Sequence, residues 1–474
     1  MTTLLRFIVS ASFVASAVAV TPGAAAQSVD TLRLSLPNAL HRALAVSPEV
    51  AEVASQRAFA EARYDFARAN RFLTQFQLTT AHALAPGLSN PNNTPTDQLY
   101  LDPDVRNDWG DLRMFNQVEA SLLQPIFTWG ELSQSIAAAR SGIAVDDAAT
   151  DEKSAEVALR TGELYFDLQL AAALERLTDE AGRILEQARE EINRLLEEGA
   201  EDVDDADLFQ VLITQESFNR QVVEVNEKLA TASSAVGRQL FVPTDTAVVA
   251  AGVLEQIVFE LDRLERYQEL ALSHRPILRK AASGYEAQSS LVRVERSHLY
   301  PKLFLGASYR ISDTPGRFRQ PNPYINDPLR GQSARVGLGI RQNLNLFQTN
   351  SKIRQAVARL DQIAFQQEAA HQLVLFEVER AYRNVTIAAA AVEAQENALR
   401  ISREWLQSET INFDLDIGDT ENLVRAVQTN LTLQAETYQV IRDYNVAIIR
   451  LLHASGILIE TVGSGTLVGL SGSG

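Results

Sequence analysis

The sequence predicts an α+β membrane protein: a twelve-stranded β-barrel shared by a trimer, four strands per chain, continuing into a long α-helical barrel. Three observations predict it. Helical periodicity runs on far longer than a globular core can use, four short segments switch to a period of two, and the same order of segments is written twice along the chain.

Bulk properties set the class. The 474 residues are 46% hydrophobic and 22% charged, a folded rather than disordered balance. Aromatics are sparse at 7%, while Ala, Glu, Gln, Arg and Leu dominate long stretches, as in extended helices. A net charge of −17 without a basic stripe argues against nucleic acid, whose phosphates need clustered Lys and Arg. The absence of cysteine excludes disulfides, thiolate metal sites, a cysteine nucleophile and a lipidated N-terminal cysteine.

The first element is a secretory signal peptide, expected over 1–26. Arg6 precedes an apolar run from Phe7 to Val20, and Ala24-Ala25-Ala26 offers a cleavage site before Gln27. That run is short for a membrane helix and ends in Thr21-Pro22-Gly23; no other stretch approaches the roughly 20 apolar residues a span requires. The mature chain is therefore expected to be exported without a transmembrane helix.

The duplication rests on short matches in a common order. Ala43-Leu44-Ala45-Val46-Ser47-Pro48 returns as Ala271-Leu272-Ser273-His274-Arg275-Pro276, and the run from Val118 to Arg140 returns from Val336 to Arg359. Leu164-Tyr165 returns as Ala381-Tyr382, and Gly237-Arg238-Gln239-Leu240 closes one half roughly as Gly456 closes the other. This gives a first repeat over 27–240, a connector over 241–261, a second repeat over 262–456 and a C-terminal tail over 457–474.

Each repeat reads helix, strand, loop, strand, long helix, tip, helix. Ser35, with Pro37 in the first turn, suits the start of a helix that runs to about Arg71. A long helix follows from about Glu131 to Glu198, and another from about Asp207 to Leu240. The second repeat carries helices over 262–299, 352–412 and 420–454. At the α-helical rise the long helix measures about 100 Å. Two half-length rods stacked end to end can lie beside it, which suits a tube or a coiled-coil stalk and not a globule.

Strands are expected over about 72–84, 114–126, 302–312 and 334–346. Phe72, Thr74, Phe76, Leu78 and Thr80 alternate with polar residues, as do Val118, Ala120 and Leu122. Leu303, Leu305, Ala307, Tyr309 and Ile311 form a third such set, and Val336, Leu338 and Ile340 a fourth. One apolar and one polar face on segments of about 10 residues fits a transmembrane barrel. A soluble antiparallel sheet shares the pattern, but the signal peptide and the long polar loops from Pro86 to Asp111 and Asp313 to Ala334 favour the barrel. Phe127, Trp129 and Tyr300 fall at the inner rim, where an aromatic belt belongs. Four strands leave two unpaired edges that lipid does not tolerate, so copies of the chain must close the barrel; three copies leave a pore.

Several motifs resemble the outer-membrane efflux protein (TolC) family over roughly residues 30–456. They are the Ala43-Leu44-x-x-Ser47-Pro48 start with its echo at Pro276, and Gln124-Pro125-Ile126-Phe127-Thr128-Trp129-Gly130 with its echo Asn345-Leu346-Phe347-Gln348-Thr349-Asn350. Tyr165 and Tyr382 match too, as does the Gly418 tip followed by Leu423-Val424-x-Ala426-Val427-Gln428. The resemblance implies a homotrimer in the outer membrane of a Gram-negative cell, docked by a periplasmic adaptor (membrane fusion) protein and an inner-membrane ABC or proton-driven pump. The implied role is a passive exit duct for efflux or type I secretion, and not an enzyme. A periplasmic coiled-coil tether without transport is the alternative. The family's lipid-anchored branch begins at a cysteine, so this chain is assigned to the unacylated branch. The family also places acidic gate residues inside the last tip helix, where this sequence has Asn422 and Arg425.

No catalytic, metal or cofactor constellation stands out. The six histidines lack ligand spacing, and Gly337-Leu338-Gly339 lacks the third glycine of a dinucleotide loop. The candidate site is instead the periplasmic entrance: Glu201, Asp202, Asp204, Asp205 and Asp207 at the first tip, Asp414, Asp416 and Asp419 at the second, with Asn422 and Arg425 just inside. Solvated turns explain the same acids. Arg425 is placed by spacing to pair with a tip acid of a neighbouring helix.

Overall fold

The computed structural model describes residues 30–72, 75–93, 95, 102–198, 205–318, 324, 326–414 and 420–463. The signal peptide expected over 1–26 lies outside them. In chain order the elements are β1 (Asp30–Leu34), α1 (Leu36–Val46), α2 (Pro48–Ala69), β2 (Gln75–Ser89), β3 (Arg106–Phe127), α3 (Glu131–Glu198) and α4 (Asp205–Gln239). They continue as β4 (Thr246–Ala250), α5 (Leu264–His274), α6 (Pro276–Ser297), β5 (Lys302–Asp313), β6 (Gly331–Arg341), α7 (Leu346–Asp414), α8 (Thr420–Ala454) and α9 (Leu458–Gly463).

Proline sets the first departure from the sequence reading. The helices expected to run to about Arg71 and over 262–299 are each cut in two. Ser47 and Arg275 precede prolines and are extended, with ψ of 118° and 120°, because a following proline ring disfavours the helical region. Each proline then opens the next helix at its first turn, where the missing N–H costs nothing. Ser47 also accepts a hydrogen bond from the Val50 amide at 3.4 Å. Ser35 stands at the N-cap of α1, but its side chain makes no capping bond.

The connector over 241–261 holds β4, which pairs in parallel with β1 in register Asp30↔Thr246 to Leu34↔Ala250. Ser233 fastens it to α4, its hydroxyl donating to the Val248 carbonyl at 2.9 Å and accepting from the Val248 amide at 3.0 Å. The tail over 457–474 begins with α9, which packs on α1, α3 and α8. These short elements gather where α3, α7 and the end of α8 are most densely packed. Leu40, Val157, Leu168, Tyr267, Val378, Ile448 and Leu452 are all buried in that one cluster. Gly162 lets α3 and α8 approach there, since a Cβ on it would stand 2.8 Å from Ile449 Cδ1.

The long helices match each other in length, 68 residues in α3 and 69 in α7. Shorter helices flank them: α2 and α4 pack on α3, α6 packs on both long rods, and α8 packs on α7 and α3. Ion pairs lace α3 to its neighbours, with Arg160–Glu49 to α2 (2.7 Å), Lys280–Glu152 to α6 (3.1 Å) and Arg450–Glu163 to α8 (2.7 Å). Each such exposed pair contributes about 0–1 kcal/mol. Among the described residues no helix is long and apolar enough to cross a membrane.

Strands β2, β3, β5 and β6 form one antiparallel sheet in that order. The first two are longer than expected. β2 runs to Ser89 because its pairing with β3 continues past a bulge at Pro86/Gly87, down to Ser89↔Arg106. Phe72 precedes the strand, in a turn closed by its amide on the Ala69 carbonyl at 3.2 Å; Thr74 is outside the described residues. The strand expected to reach 346 stops at Arg341, opposite Lys302, the first residue of β5. α7 starts at Leu346, its first turn held by the Thr349 amide on the Asn345 carbonyl at 3.0 Å.

Candidate functional site

The register of the sheet sorts its side chains onto two faces. Phe76, Leu122, Ala307 and Val336 are partners across all four strands, and so are Leu78, Ala120, Tyr309 and Ala334. This face is apolar and open: Phe76 is 69% exposed, Val336 77%, Leu338 69% and Ile340 74%. A water-soluble sheet would cover such a face with a second layer. Among the described residues no helix is packed against it.

The opposite face is polar. Gln77, Ser121, Ser308 and Arg335 are partners across it, as are Thr79, Glu119, Arg310 and Ser333. Arg310 grips the Glu119 carboxylate with Nε at 3.1 Å and Nη2 at 2.9 Å. At one end Phe304 lies across Gly339, where a Cβ would meet the ring within 2.5 Å, and the Arg341 guanidinium stands 5.2 Å from the ring centroid. The alternation that marked these strands in the sequence contained the arginines. Their concentration on one face emerges only with the register.

At the junction of sheet and helices, Trp129 and Gly130 take left-handed backbone angles, φ +54° and +88°, to turn β3 into α3. Trp129 stacks on Tyr300 at 4.9 Å, meets Phe127 edge-on at 5.0 Å, and donates from Nε1 to the Pro301 carbonyl at 2.7 Å. Glu131, the first residue of α3, pairs with Lys302 at 2.5 Å and with His298 Nε2 at 3.1 Å. At the other end of the sheet the buried Arg317 ties the two connecting loops together. Its Nη1 donates to the Gly87 carbonyl at 2.9 Å, Nη2 to Asn107 Oδ1 at 2.9 Å, and Nε pairs with Asp327 at 2.8 Å. Sequence reasoning missed this arginine, because nothing local marks it.

The far ends of the helices hold the expected entrance residues. A groove of about 900 Å³ is lined by Ile192 near the end of α3, Val211 near the start of α4 and Leu423 at the start of α8, so these three helix ends lie together. Asp205 and Asp207 stand in the first turn of α4, where acids favour the helix dipole, and Asp414 closes α7. Asn422 and Arg425 occupy the opening of α8. Arg425 meets Glu421 of its own helix at 2.6 Å, since four residues on one helix bring the pair within reach; the side chains of the tip acids that the spacing offered as its partners are not described. Glu201, Asp202, Asp204, Asp416 and Asp419 lie outside the described residues.

Tyr165 and Tyr382 belong to the packed middle. Tyr165 is buried and donates to the Ala251 carbonyl at 3.0 Å, and Tyr382 stands 6.1 Å from Tyr267. Burial pushes the Tyr165 hydroxyl above its ordinary range.

Among the described residues the sheet thus has one bare apolar face, one wet face and two open edges, and is set on helices of about 100 Å. Residues 268–456, within the second repeat, match the model of the outer membrane efflux protein family. Across the whole chain the fold is that of the outer-membrane efflux channels. VceC from Vibrio cholerae superposes with a TM-score of 0.70 at 17% identity, covering 89% of this chain and 96% of that one. CmeC from Campylobacter jejuni does so with 0.70 at 14%, covering 91% and 89%. The open state of MtrE from Neisseria gonorrhoeae gives 0.70 at 16%, covering 89% of each chain. No curated protein matches the sequence. The likeness to these channels, at 14–17% identity, establishes the fold of the chain.

Proposed function

We propose that three copies of this chain form a passive exit duct, fed by an inner-membrane pump through a periplasmic adaptor in an efflux or type I secretion system. The observation that carries this is the pair of open sheet edges. β2 and β6 each have a partner on one side only, and unpaired backbone in lipid costs several kcal/mol per group. Pairing β2 of one copy with β6 of the next removes both edges, and twelve strands leave a pore where eight would be filled by side chains. The helices below carry matching unpartnered apolar flanks, Phe59 and Phe66 on α2, and Phe365 and Phe376 on α7. The groove along α3 between α4 and α8 supports the adaptor part of the reading, since Leu177, Ile184, Phe218 and Val424 give it an apolar lining suited to a helical partner.

Mass measurement of the detergent-solubilised particle tests the assembly. Three chains per particle are expected. A monomer that remains stable in lipid would overturn the architecture.

A further inference from the structure

The wet face of the sheet carries an imbalance of charge that the duct reading leaves unused. Across the four strands this face carries Arg113, Lys302, Arg310, Arg335 and Arg341, against two carboxylates, Glu119 and the Asp111 that stands two residues before Arg113 on β3. Three of the cations are satisfied: Arg113 by Asp111 at 2.6 Å, Lys302 by Glu131 at 2.5 Å, and Arg310 by Glu119. Arg335 and Arg341 have no carboxylate partner among the described residues. Both sit on the open edge strand β6, so the next copy's β2 is the remaining source of one. The same face of β2 presents Gln75, Gln77, Thr79, Ala81 and Ala83. None of these is acidic, so no register of that pairing neutralises the two arginines.

The wall around them is shaped to leave them accessible. Gly306 and Gly337 are partners on the same face, and a Cβ at Gly337 would meet nothing within 4 Å. Phe304 lies flat over Gly339 and holds Arg341 above its ring, an arrangement in which a guanidinium keeps its N–H groups free for an anion.

We propose that Arg335 and Arg341 of three copies form an oxyanion-binding girdle in the barrel lumen, which favours cargo bearing phosphate, sulfate or several carboxylates. This rests on the trimeric duct reading. Guanidinium forks bind such groups bidentately, and a lumen walled by low-dielectric protein and lipid concentrates the field of unpaired charges.

The test uses the full-length protein in planar bilayers, with inositol hexakisphosphate added on the side of the strand loops, from which it reaches the barrel without crossing the helical tips. Block of the wild-type current is expected. It should weaken at least tenfold in the double variant Arg335→Gln/Arg341→Gln, survive in Arg335→Lys/Arg341→Lys, and fade with added salt. Both variants change wet-face side chains, and a trimer of wild-type mass verifies their assembly. Wild-type channels that ignore the polyanion, or equal block in the glutamine variant, would overturn the girdle while leaving the duct intact. A particle that is not trimeric, or forms no channel, would instead overturn the duct.

Discussion

Leu338 and Gly337 are adjacent in the chain, yet the pleat turns them toward different media. Leu338 lies on the bare apolar face with Leu305 as its partner, and Gly337 on the wet face opposite Gly306. Arginine at Leu338 should reduce barrel insertion, since a charge on the lipid face costs about 2–4 kcal/mol near the midplane. Arginine at Gly337 should be tolerated far better, because its Cβ enters open space. The fraction of each variant recovered as membrane-inserted trimer measures this, and equal recovery would refute the assignment of faces. A second residue-scale effect concerns His453, in the packed middle. Burial, and then the positive charge of Arg275, lower its pKa to about 4, against a smaller opposing pull from Glu156. The unfolded chain protonates this imidazole near pH 6.5 while the folded chain keeps it neutral, so stability falls as pH drops from 6.5 toward 4. The loss reaches about 3 kcal/mol per chain. Thermal melting at pH 7 and pH 4.5 should show a steeper acid loss in the wild type than in His453→Gln; parallel curves would remove His453 as the cause.

Among the elements, those with a long uninterrupted period were legible. The bounds of α3, Glu131 to Glu198, follow from helical spacing with a Trp-Gly turn ahead of it and a glycine after it. The apolar sets on the four strands share one face in the register because parity along a strand is fixed by the pleat. What escaped was decided by partners distant in the chain. β4 resembles any short apolar run until β1, over 200 positions earlier, supplies its ladder. β2 outruns its expected end because β3 continues opposite it, across a bulge that alternation alone conceals. The breaks before Pro48 and Pro276 were written in the sequence, but the helical spacing on either side masked them. The arginines of β6 were visible singly, whereas that Arg335 and Arg341 meet no carboxylate among the described residues depends on what β5 presents beside them.

At the scale of the whole molecule, charge is unevenly distributed between the sheet and the sequence of the helix tips. The chain is acidic overall at −17, yet the wet face of the sheet is cationic, while in sequence Glu201–Asp207 and Asp414–Glu421 are rich in acids. Rods of about 100 Å separate the two zones, against a screening length of about 8 Å at physiological salt, so each zone acts on passing ions independently. In the trimeric duct proposed above, three chains would bring six acidic turns to one mouth, where like charges repel one another and attract cations. The resting entrance is therefore expected to be narrow and cation-selective, set by the Glu201–Asp207 cluster with Asp414, Asp416 and Asp419. Reversal potentials across a salt gradient decide the matter. Changing Asp414, Asp416 and Asp419 to Asn, together with neutralisation of Glu201, Asp202, Asp204, Asp205 and Asp207, should shift the wild-type preference toward anions, because the arginines of the barrel then dominate the remaining field. A reversal potential and conductance unchanged by that full set would return the acidic tips to the role of solvated turns.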